Sequence, residues 1–318
     1  ASTTSRLGSG ANYSLPMSSF PRPFLELEGG ASPLSVRDVG RSGRLDLRFS
    51  VRRGRTVLSH QYHEVPFKVS RAHYAPASPV ARVIVMHSTA GLFGGDHLEA
   101  RIHVDAGAQA VVTSQSATKV HPSGISPACQ SLRISVETGG ELHYYVDPVI
   151  PFADSRLQQE IRIELGSGAR FYYWDGLMAG RVRSGESWNF AEMRSETTVL
   201  VNAELAYLDR FELRPSDQSP TRRWAMGRYR YMASAFAYDP SIDEGSLDSI
   251  RSTIASPGPD LVYSLDLPFD RLMIGRFLTD NGARVRLARD RYQRAILTHL
   301  SGQSPSRPGR GAEAVGST

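Results

Sequence analysis

The chain is poor in the groups that make generic chemical machinery. It has one cysteine, Cys129, in 318 residues. That excludes an internal disulfide and a thiolate metal cage, and it fits a reducing, cytoplasmic setting. No run reaches the ~18 consecutive apolar residues that a membrane-crossing helix needs. Lysine is almost missing: Lys68 and Lys119 are two of 37 basic side chains. The net charge of +5 rests on arginines such as Arg44, Arg48 and Arg52, which alternate with apolar residues. A nucleic-acid binder wants a basic stripe interleaved with aromatics, so a solvated strand face with an acidic protein partner is the better reading. No glycine turn is followed by Lys-Ser or Lys-Thr, so there is no phosphate-cradling loop. No Gly-x-Ser-x-Gly elbow exists either.

What is present is alternation. Leu45, Leu47, Phe49 and Val51 alternate with charges, Gly54 interrupts, and Thr56-Val57-Leu58 resumes, which predicts a hairpin. Three later segments repeat one pattern of alternating strand, glycine turn and second strand. The first runs Leu98–Val104, Gly107, Gln109–Thr113. The second runs Leu132–Val136, Gly139-Gly140, Glu141–Tyr145. The third runs Ile161–Leu165, Gly166-Ser167-Gly168, Arg170–Trp174. A spacing of about thirty residues marks stacked units, each hiding one apolar face against its neighbour. The fold class expected is therefore all-β: an elongated, solenoid-like stacked-sheet body with a few C-terminal α-helices. Further strands are expected at Ser187–Met193, Thr197–Val201 and Ala203–Phe211.

The texture changes after Asp239. Ser246, Leu247, Ile250 and Ile254 suit a short helix, Asp270–Leu278 suits a second, and Arg284–Leu300 suits a third. The domain layout expected is a β-stack over residues 23–240 and a helical part over 241–300 packed on it. Residues 1–22 and 301–318, rich in Ser and Gly, read as disordered. The first segment lacks the basic start and apolar stretch of a secretory signal.

Four stretches stand out in order: Gly94-Gly95-Asp96; Ser116-Ala117-Thr118-Lys119-Val120; Asp147-Pro148-Val149-Ile150-Pro151-Phe152; and Gly180-Arg181 with Gly185-Glu186, Trp188 and Phe190. Together they resemble the urease accessory protein D family, called H in some organisms, over residues 45–215. Two places depart from the family pattern: Ser88-Thr89-Ala90-Gly91 follows His87, and His121-Pro122 follows the Lys119 stretch. The resemblance implies a non-enzyme, a chaperone scaffold for nickel insertion into urease. It implies three partners: accessory protein F, the GTPase accessory protein G recruited through F, and apo-urease. It also implies an all-β helical stack with two helices, and transient passage of nickel with no resident cofactor. Neither nucleic acid nor membrane is an expected partner.

Nickel(II) takes imidazole and carboxylate ligands. A conveying protein must hold it weakly, so carboxylates inside the β body are the groups to seek, because burying one without a partner is costly. Asp96 ends the glycine turn and either pins it through backbone N–H groups or serves the metal path. Asp175 ends the apolar Tyr172-Tyr173-Trp174 strand. Glu186 is a third metal candidate, although Arg181 can pair with it within one hairpin. His87, at the mouth of the glycine turn, is the best imidazole candidate. His60 and His63 should point to opposite strand faces, and His103 should face solvent. Gly94, Gly95, Thr118, Lys119, Asp147, Pro148, Gly180 and Arg181 are expected to hold the motif loops or contact partners. The tyrosines at 144, 145, 172 and 173, with Trp174, suit a stacked core layer.

Two other readings stay open. A metal-dependent hydrolase would bring Asp96, Asp175 and a histidine to one open-sided site. A carbohydrate- or peptide-binding solenoid would expose the tyrosines as a row.

Overall fold

A computed structural model describes residues 40–254, 261–269 and 271–300. The end segments read as disordered, 1–22 and 301–318, lie outside the described residues.

The chain first folds back on itself as β1 (Ser42–Arg52) and β2 (Arg55–His63), the expected hairpin. Short β3 (Phe67–Val69) and β4 (Ala81–His87) follow. The three repeats then appear as pairs across glycine turns. They are β5 (His97–Val104) with β6 (Gln109–Gln115), β8 (Ala128–Val136) with β9 (Glu141–Tyr145), and β11 (Arg156–Leu165) with β12 (Arg170–Met178). Between them lie the short returns β7 (Thr118–Val120) and β10 (Val149–Pro151). Each first strand joins one sheet and each second strand the other, so the chain winds as a coil. The register is parallel and unslipped: Ile102 sits beside Ile134, and Ile134 beside Ile163. Like thus stacks on like, which is how one-faced units bury their apolar side.

The coil ends in β13 (Glu192–Val201) and β14 (Glu204–Leu213), an antiparallel hairpin. The strand expected from Ser187 begins instead at Glu192. Before it, Trp188 turns inward at φ 60° and donates its backbone N–H to Ala179 O at 2.7 Å. That loop geometry breaks any ladder there. The seven-stranded sheet reads β14-β13-β11-β8-β5-β1-β2, with a hairpin at each edge.

Three more strands complete the other sheet: β15 (Tyr231–Tyr238), β16 (Leu261–Phe269) and β17 (Leu272–Thr279), all antiparallel. Here the sequence misled. The helix expected over Asp270–Leu278 is strand β17. Its run Leu-Met-Ile-Gly-Arg-Phe-Leu has apolar residues on both faces, Met273 and Phe277 in one core and half-buried Ile274 and Leu278 against the other, and such a run carries no sequence period that separates strand from helix.

Two helices cover the outer face of this sheet. α1 (Glu244–Ile254) buries Leu247, Ile250 and Ile254, and Asp243 accepts from Ser246 N as its cap. α2 (Gly282–His299) buries Val285, Ala288, Tyr292, Ala295 and Ile296. They pack on Trp174, Tyr172, Tyr145 and Phe277 as a second core. The main core lies between the sheets, around Leu47, Phe49, Ile102, Val104, Ile134 and Ile163. Tyr172, Tyr173 and Trp174 are buried, so the exposed aromatic row that a carbohydrate-binding solenoid requires is not formed by them.

Beneath the helices runs a buried polar ladder. His143 Nε2 is 2.8 Å from Glu141 Oε1, and its Nδ1 is 2.9 Å from the Tyr145 hydroxyl. Arg170 Nε donates to Glu141 Oε2 at 2.9 Å. Tyr172 donates its hydroxyl to Asp239. These partners let charge stay inside an otherwise apolar layer.

Candidate functional site

Strand alternation decides what faces the gap between the sheets. Toward the Gly107, Gly139 and Gly168 turns the gap is filled by Val104, Val136, Leu165, Leu142 and Phe171. Toward the opposite edge the same ranks turn polar. Gln130 continues the rank of Leu132 and Ile134, and Gln159 that of Ile161 and Ile163; the two glutamines are level in the register. Across from them, Ser114 follows Val112, Asp175 follows Tyr173, and His87 follows Val85. These side chains line a cavity of about 130 Å³ between the sheets. The lining is mixed, with apolar residues such as Leu45, Ile102 and Ile161 beside these polar groups, and a space of that size with polar partners at one end suits a few waters.

Asp175 is a carboxyl of this lining that burial shifts clearly. Burial pushes its carboxyl up to about 6, against the pull of the Tyr173 hydroxyl, Arg276 and the Ser234 amide. Tyr173 donates to Oδ2 at 2.7 Å. Behind it, Arg276 is held by Asp209 and by the Tyr207 hydroxyl. His87 also lines the cavity, and burial lowers its imidazole pKa, which favours the neutral ligand form. Its ring stands edge-on to Phe67, with centroids 5.1 Å apart. Asp147 reaches the same cavity and accepts from Arg289 of α2 at 2.7 Å. Thr118 is also in the lining, and its N–H donates to Pro148 O at 3.1 Å, which ties two motif stretches together.

The remaining motif residues build the rim. Asp96 is 5% exposed, and both its oxygens are taken: Oδ1 accepts from Arg41 N and Oδ2 from Phe93 N, each at 2.9 Å. Its place is in the turn, outside the cavity lining. At Gly94 a Cβ would meet Ser126 O at 2.8 Å, so the two loops approach as closely as they do because no side chain intervenes. Gly95 N donates to Pro127 O at 3.1 Å. Lys119 is exposed, while its carbonyl accepts from Leu92 N at 2.8 Å. Gly180, at φ +139°, opens the loop that carries Arg181 and Glu186. Arg181 donates to Glu186 through Nε at 2.8 Å and holds that carboxyl below its usual range. It also lies over the Phe152 ring, 4.4 Å from its centroid. Glu186 further accepts from Ala153 N at 3.3 Å.

The structure therefore brings together Asp175, His87, Asp147 and Thr118, and leaves Asp96 and Glu186 on the rim. Asp96 and Asp175 do not share a pocket, as the hydrolase arrangement would require. Sequence reasoning missed Gln130, Gln159 and the Arg276–Asp209 pair. Gln130 and Gln159 carried a legible signal, as polar residues on the apolar parity of alternating strands. The pair did not, since it joins strands 67 residues apart. His103, expected to face solvent, is half-buried between two carboxylates.

The model of the UreD urease accessory protein family matches residues 41–310. A protein of Deinococcus radiodurans named urease accessory protein UreD is 39% identical over 189 residues, 59% of this chain and 68% of the relative. One of the same name from Haloarcula marismortui is 30% identical over 253 residues, 79% of this chain and 85% of its own length. Another, from Halalkalibacterium halodurans, is 29% identical over 262 residues, covering 80% and 94%. With a match running from the first strand to beyond the last helix, and with the motif loops gathered on one rim, the chain belongs to the UreD urease accessory protein family.

Proposed function

We propose that this chain is a non-catalytic, cytoplasmic maturation scaffold. It joins accessory protein F, and through F the GTPase accessory protein G, to apo-urease. It conveys Ni²⁺ as transient cargo toward the urease active site. Family membership supports the urease role, and the inter-sheet cavity carries the conveying part. That cavity offers a neutral imidazole at His87, carboxylates at Asp175 and Asp147, and glutamine and serine oxygens. Such a lining gives scattered single donors rather than a closed cage, so an ion is passed on instead of trapped. Asp175 suits this duty because its carboxyl, with a pKa of about 6, switches protonation near neutral pH. Among the described residues no helix is long and apolar enough to cross a membrane, which accords with work on soluble partners.

The test is co-expression with accessory proteins F and G and apo-urease, then affinity purification and urease assay after nickel addition. Co-purification, with activation that disappears when this chain is omitted, is the expected result. No association and unchanged activation would sink the proposal.

A further inference from the structure

The outer face of the seven-stranded sheet carries a cluster that the cavity does not touch. Val104 and Val136 are level in the parallel register of β5 and β8. Asp105 and Glu137, one residue beyond each, therefore stand side by side at the glycine-turn edge. His103 reaches both from β5. Its Nε2 lies 3.1 Å from Asp105 Oδ1 and 2.9 Å from Glu137 Oε1. The three ligand-type atoms lie within 4.8 Å of one another.

Two anionic oxygens converge on one imidazole nitrogen, and a guanidinium, that of Arg48, supplies positive charge to one of them, Asp105 Oδ1. A neutral ring offers Nε2 either a proton or a lone pair, and so satisfies one oxygen at most. Each carboxylate is also fixed from behind. Asp105 Oδ2 accepts from the Ser50 hydroxyl, and Glu137 Oε2 from Ala106 N at 3.0 Å. Their remaining oxygens are thus turned toward the imidazole, as outer hydrogen bonds orient metal ligands. Side-chain exposures of 31%, 22% and 43% leave room for waters to complete a coordination shell. One imidazole with two carboxylates suits a borderline divalent ion better than Ca²⁺ or Mg²⁺, which take oxygen alone. Arg48 opposes a cation, since its Nε donates to Asp105 Oδ1 at 2.8 Å. Its side chain is 52% exposed, so a guanidinium displaced from Asp105 would be solvated by water.

We propose that His103, Asp105 and Glu137 form a surface site for one divalent transition-metal cation, separate from the inter-sheet cavity. The site stands whether or not the cavity conveys nickel. Arg48 is its competitor for Asp105, so loss of the guanidinium strengthens metal binding. An ion network of imidazolium, carboxylates and Arg48 with no affinity for metal is the opposing account.

Calorimetric titration of the purified full chain with Zn²⁺ and with Ni²⁺ separates the two. One binding event should weaken about tenfold or more in His103→Ala and in Glu137→Gln. It should persist in Asp175→Asn and tighten in Arg48→Gln. Circular dichroism identifies any variant that has lost its fold, and His103→Gln then replaces His103→Ala. Absence of metal binding by the wild type would overturn the site. So would binding unchanged in both His103→Ala and Glu137→Gln, or binding weakened in Arg48→Gln.

Discussion

Asp175→Asn should change the pH dependence of stability in a calculable way. The carboxyl titrates near 3.8 in the unfolded chain and at about 6 in the folded one, because burial disfavours its charge. Between those values the folded state binds the extra proton, so stability falls as pH rises. The contribution is fully present below 3.8 and is lost as pH passes through 6. At about 1.4 kcal/mol per unit, the full span is worth roughly 3 kcal/mol. From pH 5 to pH 7.5 the part lost is about 1.4 kcal/mol. An asparagine keeps the shape and cannot ionise, so its variant lacks this slope. Urea unfolding at pH 5 and pH 7.5 reads the difference. The variant should gain about 1.4 kcal/mol on the wild type across that interval, a melting shift of roughly 2 °C for a chain of this size. Parallel profiles for the two proteins, or a variant that loses stability relative to the wild type as pH rises, would refute the burial argument.

Two further substitutions separate the rim from the core. Asp96→Ala removes the acceptor of two backbone amides in a buried turn. It should cost about 2–3 kcal/mol in urea unfolding, and a loss below 0.5 kcal/mol would contradict the pinning role. Tyr172→Phe takes a hydroxyl from the buried carboxylate of Asp239. An expected loss of about 1–3 kcal/mol shows in the thermal melt, and an unchanged melting temperature would mean that the bond contributes nothing.

The repeat was legible because each unit has a single buried face. Ile102, Ile134 and Ile163 keep one parity in their strands, and parity survives stacking. The helices α1 and α2 were legible for the matching reason, with one apolar stripe each. β17 was not, because apolar residues on both of its faces, Met273 and Phe277 on one and Ile274 and Leu278 on the other, erase the sequence period. The site was half legible. Asp175 announced itself as a carboxylate at the end of an apolar strand. Asp96 looked equally suggestive, yet its carboxylate holds Phe93 N and Arg41 N. Local sequence cannot say whether a buried acid faces amides or a cavity. His103 looked like a wet-face residue because its two carboxylates come from turns two and thirty-four positions away.

The most direct test of the account measures nickel delivered to urease. Apo-urease is matured by complexes of this chain with its accessory partners, carrying either the wild-type sequence or Asp175→Ala. Nickel per urease active site is then read by elemental analysis alongside activity. The variant complex should still assemble while nickel content and activity fall together. Full loading by an intact Asp175→Ala complex would contradict passage through the cavity.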